Sequence, residues 1–241
     1  MAGSAIVLGV GAENGLGAAI ARRFAKAGLH VIASGRTQEK LDAVIDTIKA
    51  DGGSAEARVA DATDAAQVET LFADVAANGP IDAVIHNVGN NAIIPFEELT
   101  AERFERFWRV CCLAGMLTAK AAMPILAAQG HGSLLFTGAS ASLRGKPDFA
   151  HFAAAKAGLR MLAQSLAREY GSQGVHVGHV IVDGVIDGEM VRSIAPEYLD
   201  RLGDDGGLDP DAIAENYWHL HAQPRSAWTH ELDLRPFREN W

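Results

Sequence analysis

The feature that most constrains this chain is an alternation of short apolar runs with longer segments of helical period. A glycine cluster stands between the first run and the first helix. Runs at residues 5–10, 30–34, 56–59, 83–86, 133–137 and 176–182 have the length and β-branched content of strands. Residues 18–27, 38–50, 65–77, 101–128 and 149–170 carry helical signals: Gly28 closes the first, Thr37 opens the second, and Pro124 is expected to bend the fourth near its end. Strands separated by helices pair in parallel, because each parallel crossover needs a covering element and turns right-handed.

The expected fold class is therefore α/β, a Rossmann-type doubly wound parallel sheet with helices on both faces. At 241 residues the chain is expected to form one domain, 1–241. After Val182 the pattern loosens into a Gly-, Asp- and Pro-rich stretch, expected to be a mobile substrate lid at about 188–212, with a short helix at residues 211–219. Residues 228–234 alternate like a strand and are expected to add an edge to the sheet.

Charge excludes some partners. With 30 acidic and 21 basic residues the net charge is -9, which works against nucleic acid and anionic membrane surfaces. The two cysteines, Cys111 and Cys112, are sequence neighbours and cannot staple distant segments, so a reducing, cytoplasmic setting is expected. The histidines show no metal-ligand spacing beside a carboxylate, and no metal is expected.

The chemistry begins at Gly11-Ala12-Glu13-Asn14-Gly15-Leu16-Gly17. A pyrophosphate needs backbone N–H groups and a helix N-terminus at close range, and glycines give that access. The second strand ends in Ser34-Gly35-Arg36-Thr37, with no carboxylate to hold the ribose hydroxyl of NAD. Arg36 suits a 2′-phosphate, with Ser34 or Thr37 adding a hydroxyl, so NADP(H) is expected in preference to NAD(H).

Gly11-x3-Gly15-x-Gly17, Asp61 after the third strand, His86-Asn87-Val88-Gly89 after the fourth, Gly145, Pro147 and Lys156 together resemble the short-chain dehydrogenase/reductase family over nearly the whole chain. The resemblance implies that Asp61 and Ala62 lie near the adenine and that Asn87, Val88 and Gly89 line the cofactor cleft. It implies that Lys156 grips the nicotinamide ribose, that Asp183-Gly184-Val185-Ile186 brings Ile186 to the carboxamide, and that two long helices build a homodimer or homotetramer. The family's catalytic tyrosine, serine and asparagine are replaced here by Phe152, Ala139 and Cys112.

A phenyl ring cannot donate a proton, and losing a positioned acid removes about 10² to 10⁴ in rate. Thr137 and Ser140 flank Ala139 without matching its place. His151 is either an alternative acid or a helix-end surface histidine. Asp183 is either a buried proton donor, which with Asp187 would suit a cationic substrate such as an iminium, or a solvated loop carboxylate. Trp108, Met116 and Phe149 are weighed as pocket walls against ordinary core packing. Two functions stay open: an NADP(H)-dependent oxidoreductase acting on a small organic molecule with an atypical active site, and a catalytically degenerate NADP(H)-binding sensor, scaffold or partner subunit.

Overall fold

A computed structural model describes residues 3–239; residues 1–2 and 240–241 of the expected domain lie outside the described residues. Seven strands form one parallel sheet in the order β3-β2-β1-β4-β5-β6-β7. They are β1 (Ser4–Leu8), β2 (His30–Gly35), β3 (Ser54–Val59), β4 (Ile81–His86), β5 (Ser133–Thr137), β6 (His176–Val182) and β7 (Glu231–Leu234). The order runs outward from β1 in both directions, so the chain reverses beside the β1–β4 pair. Ligands of open α/β sheets bind at such a switch, outside the strands' carboxyl ends.

The central strands are apolar on both faces because helices cover both. Ala5, Val7, Val31 and Ala33 pack with Ile20, Phe24, Val44 and Tyr217 on one side. Ile6, Leu8, Ile32 and Val84 pack with Phe72, Met123, Leu126 and Leu159 on the other. Each large side chain buried in this way contributes about 1.5–3 kcal/mol of transfer free energy. The covering helices are α1 (Leu16–Lys26), α2 (Gln38–Ala50), α3 (Ala65–Asn78), α4 (Ala101–Trp108), α5 (Ala114–Gln129), α6 (Ala150–Tyr170) and, after α7 (Glu189–Ile194) and α8 (Pro196–Leu202), α9 (Pro210–His221). Asp64 caps α3 by accepting from the Ala66 and Gln67 amides, and Asp209 caps α9 in the same way.

The expected helix at 101–128 forms as one 29-residue unit, 101–129, with an irregularity the sequence did not announce. The helix runs through Pro124, and a π-helical turn, Arg109–Leu113, separates α4 from α5. This helix is apolar and long enough to cross a membrane, yet it is a core helix of the sheet fold, packed on β4, β5 and α6. The segment expected to be loop before residue 211 contains α7 and α8, too short for a helical period to show; Pro196 starts α8 at a position where its missing N–H costs nothing. The edge strand begins at Glu231 rather than Trp228, whose indole stacks on His176 at 4.8 Å.

Candidate cofactor and substrate cleft

The glycine turn leads straight from β1 into α1. No side chain caps α1, so its first N–H groups, which lack intrahelical partners, face outward. A methyl group added at Gly11 would meet nothing within 4 Å, whereas one at Gly17 would lie 2.5 Å from the Gly9 carbonyl oxygen. Gly11 thus leaves the approach open, and Gly17 lets α1 lie close against β1. Gly35, which the sequence did not single out, does the same for β2: its added methyl would sit 2.2 Å from the Val10 oxygen. Leu16 is buried under the turn, and the Asn14 carbonyl accepts from Glu189 N of α7 at 3.4 Å.

Arg36 is exposed beyond β2 and, among the described residues, engages no partner. Thr37 precedes α2 without using its hydroxyl as a cap. Beyond β3, Asp61 Oδ1 accepts from Thr63 N at 2.8 Å and from Thr63 Oγ1 at 2.7 Å, which fixes the turn, while Ala62 is buried. A cavity of about 500 Å³ opens there, lined by Asp61, Thr63, Gln67, Arg109, Leu113 and Leu117 among others.

The centre of the cleft is cross-linked by side chains. Asn87 N donates to Leu8 O at 3.0 Å, and Asn87 Nδ2 donates to Gly9 O at 3.3 Å. Thr137 Oγ1 donates to Asn87 Oδ1 at 3.0 Å and accepts from the buried Tyr217 hydroxyl at 2.7 Å, so the ends of β1, β4 and β5 are held together through α9. Lys156 Nζ donates to Thr137 O at 2.7 Å, and Gly89 leaves room for it: a methyl there would lie 3.3 Å from Nζ. Burial lowers the Lys156 pKa, partly offset by Cys111 and Cys112. Val88 packs at the edge of the core beneath this point.

Phe152 lies one turn from Lys156 on α6, with its ring centroid 5.9 Å from Nζ. It packs on Cys111, Cys112 and Ala155. Cys112 sits in the π turn, and burial raises its thiol pKa, which keeps it protonated and apolar in character. His151 is not at the surface. It is fully buried against Phe107, ring centroids 4.3 Å apart, and burial followed by the Arg103 charge lowers its pKa, which favours the neutral imidazole.

Ala139, two residues past β5, is extended and precedes a 3-10 turn, Ser140–Ser142. Its N–H donates to Ser142 Oγ at 3.1 Å, and Ser142 Oγ lies 3.5 Å from His179 Nε2. His179 Nδ1 lies 3.0 Å from Glu231 Oε2, and Arg160 grips Glu231 at 2.6 and 2.7 Å. Burial pushes the His179 pKa down to about 4, while the Arg160 hydrogen bond lowers that of Glu231. No local pattern announces this relay, whose members lie on four separate elements.

Asp183, directly after β6, is buried, but its carboxylate belongs to an ion pair. Arg144 Nη2 donates to its two oxygens at 2.8 and 2.9 Å, and Arg235 Nη2 stands at 3.8 Å. Asp187 is paired with Arg192 at 2.6 Å. The two carboxylates expected to favour a cationic substrate are therefore each neutralised by arginine. Gly184 and Ile186 follow: the Ile186 carbonyl accepts from Gly188 N, and Ile186 packs on the core. Of the apolar walls considered, Trp108 and Met116 are exposed on α4 and α5.

An uncapped helix beside a glycine turn, an unengaged arginine after β2 and a buried lysine at the end of β5 line the carboxyl ends of a doubly wound parallel α/β sheet. Residues 5–199 match the family model for short chain dehydrogenases, and the chain belongs to that family of oxidoreductases. A short-chain dehydrogenase from Rhodopseudomonas palustris is 37% identical, with TM-score 0.84 over 98% of this chain and 99% of that one. A metagenomic short-chain oxidoreductase solved in complex with NADP is 27% identical, with TM-score 0.83 over 97% of each chain. The 3-oxoacyl-[acyl-carrier-protein] reductase of Escherichia coli is 29% identical over 193 residues, 80% of this chain and 78% of that protein.

Proposed function

We propose that this chain is an NADP(H)-dependent oxidoreductase that moves hydride between the nicotinamide and a small organic substrate, with the proton handled by something other than a side chain on α6. The observation that carries the reading is Lys156. A buried ammonium has three donors, and Thr137 O takes one, so acceptors from outside the chain, such as the hydroxyls of a ribose, complete its shell.

The remaining residues fit the same cofactor. Gly11, Asn14, Gly15, Leu16 and Gly17 present backbone to the pyrophosphate, Arg36 and Thr37 take a 2′-phosphate, and Asp61 and Ala62 border the adenine beside the large cavity. Asn87, Val88 and Gly89 form the floor, and Gly184 and Ile186 meet the carboxamide. When bound, the nicotinamide supplies or accepts hydride. NADP in the metagenomic relative supports the choice of NADP(H). The α7–α8 segment, whose first turn touches Asn14, serves as the lid. Phe104, Trp108, Met116 and Met161, exposed on α4, α5 and α6, favour a homodimer or homotetramer through those helices in the cytoplasm.

Phe152 and the methyl of Ala139 give the nicotinamide side no hydroxyl, so Lys156 orients the cofactor here and has no phenol to acidify. The test is NADPH oxidation over a panel of ketones, imines and enones, with wild type beside the double variant Phe152→Tyr with Ala139→Ser. Turnover by wild type is expected for at least one class. Ketone reduction confined to the double variant, with wild type binding NADPH and turning over nothing, would overturn the enzymatic reading in favour of a binding protein.

A further inference from the structure

Polar groups at the ends of β5 and β6 are mostly satisfied by one another. Thr137, Ser142, His179, Glu231 and Lys156 are buried or half-buried with partners on neighbouring elements. Arg144 differs. It lies two residues past the 3-10 turn, with its N–H on Ser140 O at 3.1 Å, and its side chain keeps 33% of its surface while Asp183 keeps 2%.

Only Nη2 is engaged. Among the described residues nothing else binds the guanidinium, and neither Nε nor Nη1 is a buried unpaired atom. Asp183 N donates to Leu234 O at 2.8 Å, so the carboxylate that holds Arg144 is itself fixed to β7. The cluster pairs two arginines, Arg144 and Arg235, with two carboxylates, Asp183 and Asp233, and the Arg144 side chain is the more exposed of the two, 33% against 18%.

We propose that Arg144, held by Asp183, recognises an oxyanion on the substrate, so that the substrate class is a small organic molecule carrying a carboxylate next to the group that is reduced. Its place beside the nicotinamide rests on the cofactor reading above. A guanidinium already locked by a buried ion pair loses little rotamer entropy on meeting a carboxylate, and its planar donors match one in geometry. Leu143, the adjacent residue, is 44% exposed and offers an apolar wall for the rest of a short chain.

The experiment measures binding without turnover. Acetoacetate, and acetylacetone as its neutral counterpart, are titrated by calorimetry into the protein saturated with NADP+, which cannot reduce either. Wild type is expected to bind acetoacetate at least about tenfold more tightly, the scale of one charge-assisted hydrogen bond. Arg144→Met is expected to abolish the preference, Arg144→Lys to keep part of it, and Asp183→Asn to weaken it by loosening the guanidinium. NADP+ affinity should stay unchanged in all three.

Equal binding of the two probes by wild type, or an undiminished preference in Arg144→Met, would overturn the proposal. If Arg144→Met does not fold, Arg144→Gln, which retains a donor to Asp183 without the charge, decides the matter. Protein that fails to bind NADP+ at all sinks the cofactor reading instead. The acetoacetate preference, measured then on the free protein, still settles the role of Arg144.

Discussion

The two ends of the cleft treat their polar groups in opposite ways. On the β1–β3 side the donors are left unengaged: α1 has no cap, Arg36 has no partner among the described residues, and the Thr37 hydroxyl caps nothing. On the β5–β7 side they are tied to one another, through Ala139, Ser142, His179, Glu231 and Arg160 in one chain and Arg144, Asp183 and Arg235 in another. Unengaged donors at an exposed rim cost little while water serves them, and they favour an incoming polyanion. Buried donors without partners would cost about 1–3 kcal/mol each, so the opposite side is knitted into networks. One rim leaves its donors to water, while on the other side the networks hold the geometry and Arg144 and Lys156 keep donors to spare.

The strongest way to break the receiving side alone is Gly17→Ala. The new methyl would lie 2.5 Å from Gly9 O and 3.0 Å from Val10 Cα, both backbone, so α1 must move away from β1. Overpacking of this kind costs about 1–3 kcal/mol. Thermal melting should show that loss, and fluorescence titration should show NADPH binding reduced beyond detection. A variant that melts lower yet binds NADPH normally would separate the turn from the ligand.

That contrast also explains what could be seen in advance. The places of the glycine turn, Arg36 and Asn87 at strand ends, and of Lys156 on α6, were legible because strand and helix boundaries are written in short local segments; the cofactor roles given to them are the proposal above. Gly35 was passed over because its role is contact with Val10, a residue distant in sequence. The Ser142–His179–Glu231 relay and the Arg144–Asp183 pair join residues 37 to 52 positions apart on different elements, and no local pattern announces such pairings. The burial of His151 was hidden for the same reason, since Phe107, which covers it, comes from another helix. The parallel pairing of the strands followed from the βα alternation, whereas α7 and α8 were missed because six or seven residues hardly complete two turns.

Acid should loosen the knitted side. His179 has a folded-state pKa of about 4 against an ordinary 6.5, so between those values the unfolded chain binds a proton that the folded chain refuses. Stability is then full above pH 6.5 and falls as pH drops towards 4, by on the order of 3 kcal/mol for this group. His86, lowered to about 3 by burial and then by Lys156, acts in the same direction. Glu231, held below its ordinary value of 4.5, withdraws its share only below that pH. Melting temperatures from pH 7 to pH 4.5 should fall steadily in wild type and less steeply in His179→Asn. Equal slopes would show that His179 does not govern the acid response.

The smallest expected effect tests the receiving side at its most specific point. Arg36→Ala removes the cation proposed to take a 2′-phosphate and leaves the glycine turn and α1 intact. A hydrogen bond to a charged group is worth about 1.5–3 kcal/mol, so NADPH affinity should fall by roughly thirtyfold while NADH affinity stays level. Raising the salt concentration should narrow the gap between wild type and variant, because Arg36 is exposed and its attraction for phosphate is screened. Folding stability should not change, since no described residue loses a partner with it. An equal loss for both cofactors would place Arg36 against the pyrophosphate or adenine instead, and no loss for either would leave it a solvated charge at the end of β2.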